Sequence, residues 1–152
     1  MGKSSIGNRK IQNATAISYH GKKFKSKLEL TVYKTLKDSG MKVRYEPKAY
    51  VIWEGFYPSV ICYSKGRTNN ITLSDGKLRD ITYTPDFIFR YNGYTVIVEA
   101  KGFETDVFKM KFKLFRKLME KRKKVLIFEV FNKRMVLQML ELLKKDYGNK
   151  ES

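Results

Sequence analysis

The chain contains almost none of the residues that build disulfides, soft-metal clusters or catalytic triads. Cys62 is its single cysteine and His20 its single histidine. One cysteine excludes an internal disulfide and a cysteine-based metal cluster, which is consistent with a reducing cytoplasm. The lone histidine, placed before Gly21 in a turn-like segment, disfavours a histidine-rich metal site and a serine–histidine triad.

Long apolar runs and proline are also scarce. No stretch approaches the length of a transmembrane helix, no secretion signal is visible, and only 3 residues are proline. With 42% hydrophobic and 14% aromatic residues in a chain of 152, the composition is that of one folded domain with a real core. We therefore expect a soluble cytoplasmic protein with no membrane partner.

Acidic residues are few beside the basic ones. The chain has 32 Lys and Arg against 15 Asp and Glu, which gives a net charge of +17. So large a surplus causes self-repulsion, and a polyanion such as a nucleic acid would offset it. A ribosomal protein or a protein of anionic membranes could carry the same surplus, so charge supports a nucleic-acid partner without proving one.

The most specific pattern is a hairpin between two short motifs. These are Tyr-Thr-Pro-Asp-Phe at 83–87 and Glu-Ala-Lys at 99–101, with Asn-Gly at 92–93 between them. Asn-Gly between strand-like residues predicts a two-residue type I′ turn, because both of its positions need a positive φ. In that register Asp86 lies opposite Glu99, and Lys101 projects from the same face as Glu99.

Two opposed carboxylates on a sheet need a reason to coexist, because like charges at directly opposed positions destabilise a hairpin. A shared Mg²⁺ removes the repulsion, since this ion is typically held by one or two carboxylates with water and substrate phosphate. The alternative is a surface hairpin in which Lys101 merely neutralises the pair. The apolar runs at 87–89 and 96–98 indicate burial on both faces. They favour the metal site, with Lys101 orienting or deprotonating a water.

A third carboxylate, Glu29, lies in the first predicted helix. This helix spans 26–39 and ends before Gly40. Apolar residues follow Glu29 at i+3, i+4 and i+7, so the glutamate lies on the apolar face. A capping box with Ser26 would explain it by itself. Together with the acidic pair, Glu29 becomes a candidate metal ligand or water-orienting group.

These motifs in combination resemble the PD-(D/E)xK signature of the restriction-endonuclease-like nucleases. Pro85-Asp86 matches its first part and Glu99-Ala100-Lys101 its second. Within that superfamily the layout is most similar to the endonuclease I type Holliday-junction resolvases of bacteriophages. In those enzymes a helix with Ser-x-x-Glu precedes the core, and Ser26-Lys27-Leu28-Glu29 takes that place here. The resemblance spans about residues 20–118.

The resemblance implies a Mg²⁺-dependent, structure-selective DNA endonuclease in which Mn²⁺ can substitute. Asp86, Glu99 and Glu29 would hold the metal, and Lys101 would position or activate the water that cleaves the strand to a 5′-phosphate and a 3′-hydroxyl. It further implies branched or double-stranded DNA as substrate and a homodimer with exchanged strands, in the host cytoplasm if the chain is phage-encoded. Two alternatives stay open. One is another nuclease of this fold, such as a nickase, a restriction-type or a replication nuclease. The other is a non-catalytic basic nucleic-acid-binding protein.

Residues 1–25 are polar and basic, and we interpret them as an arm that ends in a short hairpin. Three of its lysines are candidate phosphate contacts: Lys22, Lys23 and Lys25. A single nuclease domain is expected at 26–148, followed by a polar tail at 149–152. Within it, 42–53 reads as a strand that Pro47 breaks or marks as an edge. The segment 54–80, extended at 57–63, is either an inserted hairpin that contacts DNA or a bridge between two subunits.

A second helix is expected from Thr105 or Asp106 to about Lys121. Its apolar residues form two stripes, Val107, Met110, Leu114 and Leu118 beside Phe108, Phe112, Phe115 and Met119. Together they predict one wide buried face. Lys111 falls inside this arc and either snorkels along the core edge or faces the site and binds the scissile phosphate. The opposite face carries further candidate DNA contacts: Lys109, Lys113, Arg116 and Lys117.

The run 125–131 is typical of an interior strand, and Asn132 can cap a last helix that ends near Tyr147. The order of elements predicts an α/β fold, a mixed central β-sheet flanked by helices. The resemblance adds that its core is restriction-endonuclease-like.

Overall fold

Three helices begin where their capping residues predict. The computed structural model describes residues 16–149, and every structural statement here concerns that part of the chain. The helices are α1, Lys27–Asp38; α2, Asp106–Met119; and α3, Lys133–Tyr147. Ser26, Thr105 and Asn132 precede them, and each side chain accepts the backbone N–H three residues ahead. No helix in this range is long and apolar enough to cross a membrane.

The strands form one larger sheet and three short pairs, so the fold is mixed α/β as expected. The strands are β1, Ile17–Tyr19; β2, Lys22–Phe24; β3, Arg44–Tyr45; β4, Tyr50–Trp53; β5, Tyr63–Lys65; β6, Ile71–Leu73; β7, Ile81–Tyr83; β8, Phe87–Tyr91; β9, Tyr94–Ala100; and β10, Val125–Val130. The larger sheet has the order β10-β9-β8-β3, and the pairs are β1-β2, β4-β7 and β5-β6. β10 runs parallel to β9, with α2 as the crossover between them, and the other pairings are antiparallel.

The central hairpin has the predicted register. Tyr91 lies opposite Tyr94, and the pairing continues back to the first residue of β8. Asn92 has φ 44° and Gly93 φ 82°, as a type I′ turn requires. Asp86 itself precedes β8, so its expected strand pairing with Glu99 is replaced by a hydrogen bond between the two residues.

Helices pack on both faces of the sheet. Alternate residues of β8 and β9 point to opposite sides, so each face presents apolar side chains to the helices. On one side Phe87, Phe89, Val96 and Val98 pack with residues of α1 and α3. On the other side Ile88 and Ile97 pack with Phe108, Phe115 and Met119 of α2 and with Tyr50 and Tyr83 of the β4–β7 pair. This second core connects the sheet to the β4–β7 pair.

The strand predicted at 42–53 is broken at Pro47, as one of its two interpretations required, whereas the interior position predicted for the strand at 125–131 is wrong. The segment 42–53 forms two short strands in different sheets, β3 in the larger sheet and β4 with β7. The chain breaks at Glu46, whose φ is 41°, and at Pro47, which cannot donate to a ladder. β10 is an edge strand of the described sheet, not an interior one. The run is apolar because its residues pack against the cores on the two faces of the sheet, although only one edge of β10 has a neighbouring strand.

The predicted buried face of α2 is too wide, and the extended segment 57–63 is too long. Phe108, Phe115 and Met119 are buried, whereas Val107 and Met110 are more than half exposed. The Phe108 stripe therefore forms most of the contact with the core, and from the other stripe Leu118 packs against it. In the 54–80 segment, strand structure begins at Tyr63, where β5 pairs with β6. The expected arm before residue 16 and the tail after 149 lie outside the described residues.

Candidate active site

The predicted site residues line one cavity of about 460 Å³. It lies where the start of α1, the β7–β8 connection, the end of β9 and the first turns of α2 come together. Its lining residues are Lys25, Glu29, Glu46, Thr82, Tyr83, Thr84, Asp86, Glu99, Lys101, Thr105, Val107, Phe108 and Lys111. All four predicted catalytic residues are among them. Lys111 also lines the cavity, which agrees with the interpretation that it faces the site.

Asp86 and Glu99 are buried side by side. Their residues are 7% and 3% exposed. The backbone N–H of Asp86 donates to Glu99 Oε2 at 3.4 Å, and the N–H of Ala100 donates to Asp86 Oδ2 at 2.8 Å. Glu99 thus accepts the backbone N–H of Asp86 itself, and Asp86 accepts the N–H of the residue after Glu99, which fixes both carboxylates relative to the sheet.

Two further side chains contact Glu99. The phenol of Tyr83 donates to Glu99 Oε2 at 2.5 Å, and Lys101 Nζ lies 3.2 Å from Glu99 Oε1. Lys101 Nζ also lies 4.3 Å from the ring centroid of Phe108. The ammonium group therefore contacts both a carboxylate and an aromatic ring, and Lys101 lines the cavity.

Burial dominates the electrostatics of the acidic pair. It raises the pKa of Asp86 to about 8, the charge of Glu99 adds to the rise, and the Ala100 N–H opposes it. Burial likewise raises the pKa of Glu99, against the lowering effects of the Tyr83 hydrogen bond and of Lys101. The pKa of Tyr83 is raised by burial first and by the charge of Glu99 second, so its phenol remains a donor.

Two hydrogen bonds hold the carboxylate of Glu29, which also lines the cavity. Its Oε2 accepts the backbone N–H of Lys25 at 3.0 Å and the phenol of Tyr45 at 2.6 Å. Ser26 Oγ accepts the N–H of Glu29 at 3.1 Å, which is half of the predicted capping box. The other half is shifted by one residue, because the glutamate reaches the N–H of Lys25 and not that of Ser26. Burial raises the pKa of Tyr45, as does its hydrogen bond to Glu29.

The candidate DNA-contact residues divide into two groups. Lys25 and Lys111 line the cavity, and Lys25 also forms an ion pair with Glu46. The remaining ones are exposed and do not line it: Lys22 and Lys23 on β2, and Lys109, Lys113, Arg116 and Lys117 on α2. Lys117 pairs with Glu120 at 2.7 Å. The exposed set can contact a phosphate backbone, but not the two buried carboxylates.

Sequence reasoning assigned no role to Tyr83, Tyr45 or Glu129. The two tyrosines donate to carboxylates 16 residues away in sequence, and no local signal reveals such pairs. Glu129 lies beside Glu99 in the parallel register of β9 and β10, and its buried Oε1 has no hydrogen-bond partner among the described residues. Burial, and then the neighbouring carboxyl group of Glu104, raises the pKa of Glu129 to about 7.

The donor chemistry fits a divalent cation, although the ligand set is small. Across residues 16–149, no three His, Cys, Asp or Glu side chains are grouped closely enough to hold a metal ion. Glu29 therefore shares the cavity with the acidic pair without joining it in one cluster. Asp86 and Glu99 alone meet the need of Mg²⁺ for one or two carboxylates beside water and phosphate. A cation there would also favour the ionised forms that burial disfavours.

Comparison with known proteins identifies the family of the chain. A family model described as DUF1064, protein of unknown function, matches residues 9–131, so the chain belongs to this family. The match includes every residue of the cavity. No curated protein matches the chain significantly. No solved structure does so either.

Proposed function

We propose that this protein is a Mg²⁺-dependent DNA endonuclease that cleaves branched DNA, with the Holliday junction as its substrate. The observation that carries the proposal is the buried Asp86–Glu99 pair with Lys101 Nζ 3.2 Å from Glu99. Burying two like charges side by side is unfavourable, and carboxylates with pKa values raised in this way are concentrated at functional sites. The PD-(D/E)xK resemblance gives this pair a chemical role and a restriction-endonuclease-like core around it.

In this proposal Asp86 and Glu99 hold Mg²⁺, or Mn²⁺ in its place. The bound cation would neutralise charge on the scissile phosphate and make water a better nucleophile. Lys101 holds or transfers a proton beside Glu99 Oε1, where its ammonium group lies. Glu29, which lines the same cavity, orients water or assists the metal. Tyr83 keeps Glu99 in its rotamer through the hydrogen bond to Oε2.

The cavity also offers positive charge for a phosphate. Lys111 reaches it from α2, and Lys25 lies beside the start of α1. The exposed basic residues of α2 and β2 extend the positive surface. With a net charge of +17, contacts to the DNA backbone can supply affinity without reading sequence. The preference for branched over linear DNA rests on the resemblance to endonuclease I type resolvases, whose other relatives include nickases and restriction-type nucleases.

One observation favours a second candidate, a non-catalytic basic nucleic-acid-binding protein. Protein donors already satisfy several oxygens of the acidic groups, because Tyr83, Tyr45 and the Ala100 N–H all donate to them. With no three-ligand group in the described residues, the carboxylates could be structural. This candidate predicts binding that Mg²⁺ does not alter and no cleavage.

A cleavage assay separates the two candidates. The purified protein, an Asp86→Asn variant and a Glu141→Gln control on the exposed side of α3 are incubated with labelled four-way junction, linear duplex and single strand. Each reaction contains Mg²⁺ or EDTA. We expect paired nicks in the junction from the protein and the control, and none from Asp86→Asn or in EDTA.

Other outcomes are equally informative. Cleavage of duplex or single strand with the same dependence on Asp86 would support the proposed active site and show that the substrate is not a junction. Tight DNA binding without cleavage in either Mg²⁺ or Mn²⁺ would overturn the nuclease proposal and establish the binding protein.

A further inference from the structure

A second cavity lies between α2 and β10, and it shares no lining residue with the cavity of the candidate active site. Its volume is about 630 Å³, within the roughly 300–1,000 Å³ of small-ligand sites. We call it the α2–β10 groove. The residues that line it include Phe112, Arg116, Arg122, Val125, Ile127 and Glu129.

The floor of the α2–β10 groove is apolar. Phe112, Val125 and Ile127 are half-buried, because one side of each packs against the core formed with α2 and the β4–β7 pair. β10 is an edge strand in the described part of the chain, so no further strand covers the open side of the groove. An aromatic ring beside apolar side chains is the kind of surface on which a nucleic-acid base stacks.

Two guanidinium groups lie over aromatic rings at this groove. Arg116 Cζ is 6.0 Å from the ring centroid of Phe112, and Arg122 Cζ is 5.6 Å from that of Tyr50. Neither arginine forms an ion pair within residues 16–149. A guanidinium group offers a phosphate several N–H donors in a fixed plane, so the two arginines can bind an anion between them.

The balance of charge at the groove is positive. Glu120 pairs with Lys117 at 2.7 Å, which leaves Glu129 as the other carboxyl group among the described residues that line the groove. The exposed run Lys-Arg-Lys-Lys at 121–124 lies directly before β10. An apolar floor with cations beside it suits a ligand that has both a flat ring and a phosphate.

The groove adjoins the candidate active site. Phe108 lines the active-site cavity and stacks on Phe112 of the groove, with ring centroids 5.2 Å apart. Glu129 is the partner of Glu99 in the parallel register, and neighbouring strands lie about 4.8 Å apart. Successive nucleotides of a stacked strand are about 3.4 Å apart, so a DNA strand whose phosphate lies at Glu99 reaches the groove within roughly one or two nucleotides.

We propose that the α2–β10 groove binds one unpaired nucleotide of the DNA strand, with its base on Phe112 and its phosphate at Arg116 and Arg122. The inference rests on the proposed function, which makes DNA the ligand. In a duplex, stacking covers the faces of the bases, so only an unstacked nucleotide can lay its base on an apolar surface. Unstacking costs least where the duplex is already interrupted, and the groove would therefore favour branched over linear DNA.

Binding of labelled DNA in EDTA, where no cleavage takes place, tests the proposal. Fluorescence anisotropy gives the dissociation constants of a short single strand and of the duplex of the same sequence. Phe112→Leu keeps an apolar side chain and removes the ring, and Phe131→Leu makes the same change at an exposed position outside both cavities. Phe112→Leu should weaken single-strand binding by about 5–150-fold, as expected for one lost base–aromatic stack, and duplex binding by less than about twofold. Phe131→Leu should leave both constants unchanged.

A second pair of variants tests the phosphate contacts. The double variant Arg116→Gln, Arg122→Gln removes two positive charges at the groove. Its matched control, Lys144→Gln, Lys145→Gln, removes two from the exposed side of α3. We expect the arginine variant to weaken single-strand binding at least about tenfold more than the lysine variant does. Circular dichroism spectra that match the wild type show that the variants fold.

Three outcomes would overturn the proposal. The first is an equal effect of Phe112→Leu and Phe131→Leu on single-strand binding. The second is an equal loss for single strand and duplex, which would make the groove a contact for the phosphate backbone alone. The third concerns free deoxyadenosine 5′-monophosphate as a competitor, which we expect to bind far more weakly than the single strand. Equally tight binding that depends on Phe112 would assign the groove to a free nucleotide.

These binding measurements are independent of the cleavage test. A protein that shows the Phe112 effect but cleaves no DNA would refute the proposed nuclease and support the groove. A protein that cleaves with the expected dependence on Asp86 but shows no Phe112 effect would refute the groove alone.

Discussion

The cavity and the insertion, which is the segment 54–80 between β4 and β7, depart from the usual distribution of polar and apolar groups in opposite directions. At the cavity Asp86 and Glu99 are charged groups inside the protein, where hydrogen bonds hold them in place. In the insertion Ile61 and Ile71 are apolar groups outside it. Folded proteins seldom bury paired carboxylates or expose contiguous apolar surface. The comparison teaches that each region departs in its own way: the cavity buries an acidic pair, and the insertion exposes apolar side chains.

The largest effect is expected from removing the positive charge that the cavity already has. Lys101→Met should lower the rate of DNA cleavage by about 10²–10⁴-fold, the usual contribution of a positioned proton donor or acceptor. Lys145→Met on the exposed side of α3 is the matched control and should change the rate little. Single-turnover rates at saturating protein provide the measurement. Equal rates for both variants would show that Lys101 takes no part in the cleavage reaction.

The packing beneath the cavity should contribute far more to stability than the surface of the insertion. Phe115 is fully buried and packs on Tyr83 with ring centroids 4.6 Å apart, so Phe115→Ala should lower the free energy of unfolding by about 3–5 kcal/mol. Ile71→Ala should change it by less than about 0.5 kcal/mol, because this side chain is 82% exposed. Urea unfolding checks both. A large effect at Ile71 would show that its side chain packs within the protein.

Stability without a divalent cation should fall as pH rises. The pKa of Asp86 is about 8 in the folded protein against an ordinary 3.8, so the folded state binds this proton more tightly. The resulting stabilisation is complete below the ordinary pKa and is lost as pH increases toward 8, by at most about 1.4 kcal/mol per pH unit. Asp86→Asn should flatten this slope, and Mg²⁺ should stabilise the wild type more at pH 8 than at pH 5. Melting temperatures in EDTA and in Mg²⁺ measure it, and a slope of the opposite sign would contradict the buried pair.

The smallest effect is expected from the hydroxyl that orients Glu99. Tyr83→Phe keeps the ring packed and removes only the hydrogen bond to Oε2, so apparent Mg²⁺ affinity should fall by about 10-fold or somewhat more. Tyr63→Phe, in the exposed part of the insertion, is the matched control. The readout is the Mg²⁺ concentration at half-maximal cleavage. A change in maximal rate with no change in that concentration would show that Tyr83 acts in another way.

Local features of the sequence predict much of the fold. Asn92-Gly93 sets a turn by its own backbone preferences, and that turn places the five residues on each side of it in register. Ser26 and Thr105 cap helices where their side chains predict. These features succeed because the physical cause and its effect lie within a few residues of each other.

The features that sequence missed depend on residues far apart in the chain. The apolar run of β10 is compatible with an interior or an edge strand, and only the assembled sheet decides between them. The partners of Glu29 and Glu99 are Tyr45 and Tyr83, which no spacing rule connects to them. The exposure of Val107 follows from which part of α2 meets β4 and β7, a matter of tertiary packing.

Binding of Mn²⁺ to the isolated protein tests the central claim most directly, because it asks whether the buried carboxylates hold a cation at all. The paramagnetic signal of free Mn²⁺ is followed as wild type, Asp86→Asn and the Glu141→Gln control are added at pH 8. We expect wild type and control to remove Mn²⁺ from solution and Asp86→Asn to leave it free. Equal binding by all three proteins, or none by the wild type, would contradict the assignment of Asp86 and Glu99 as the metal-binding pair.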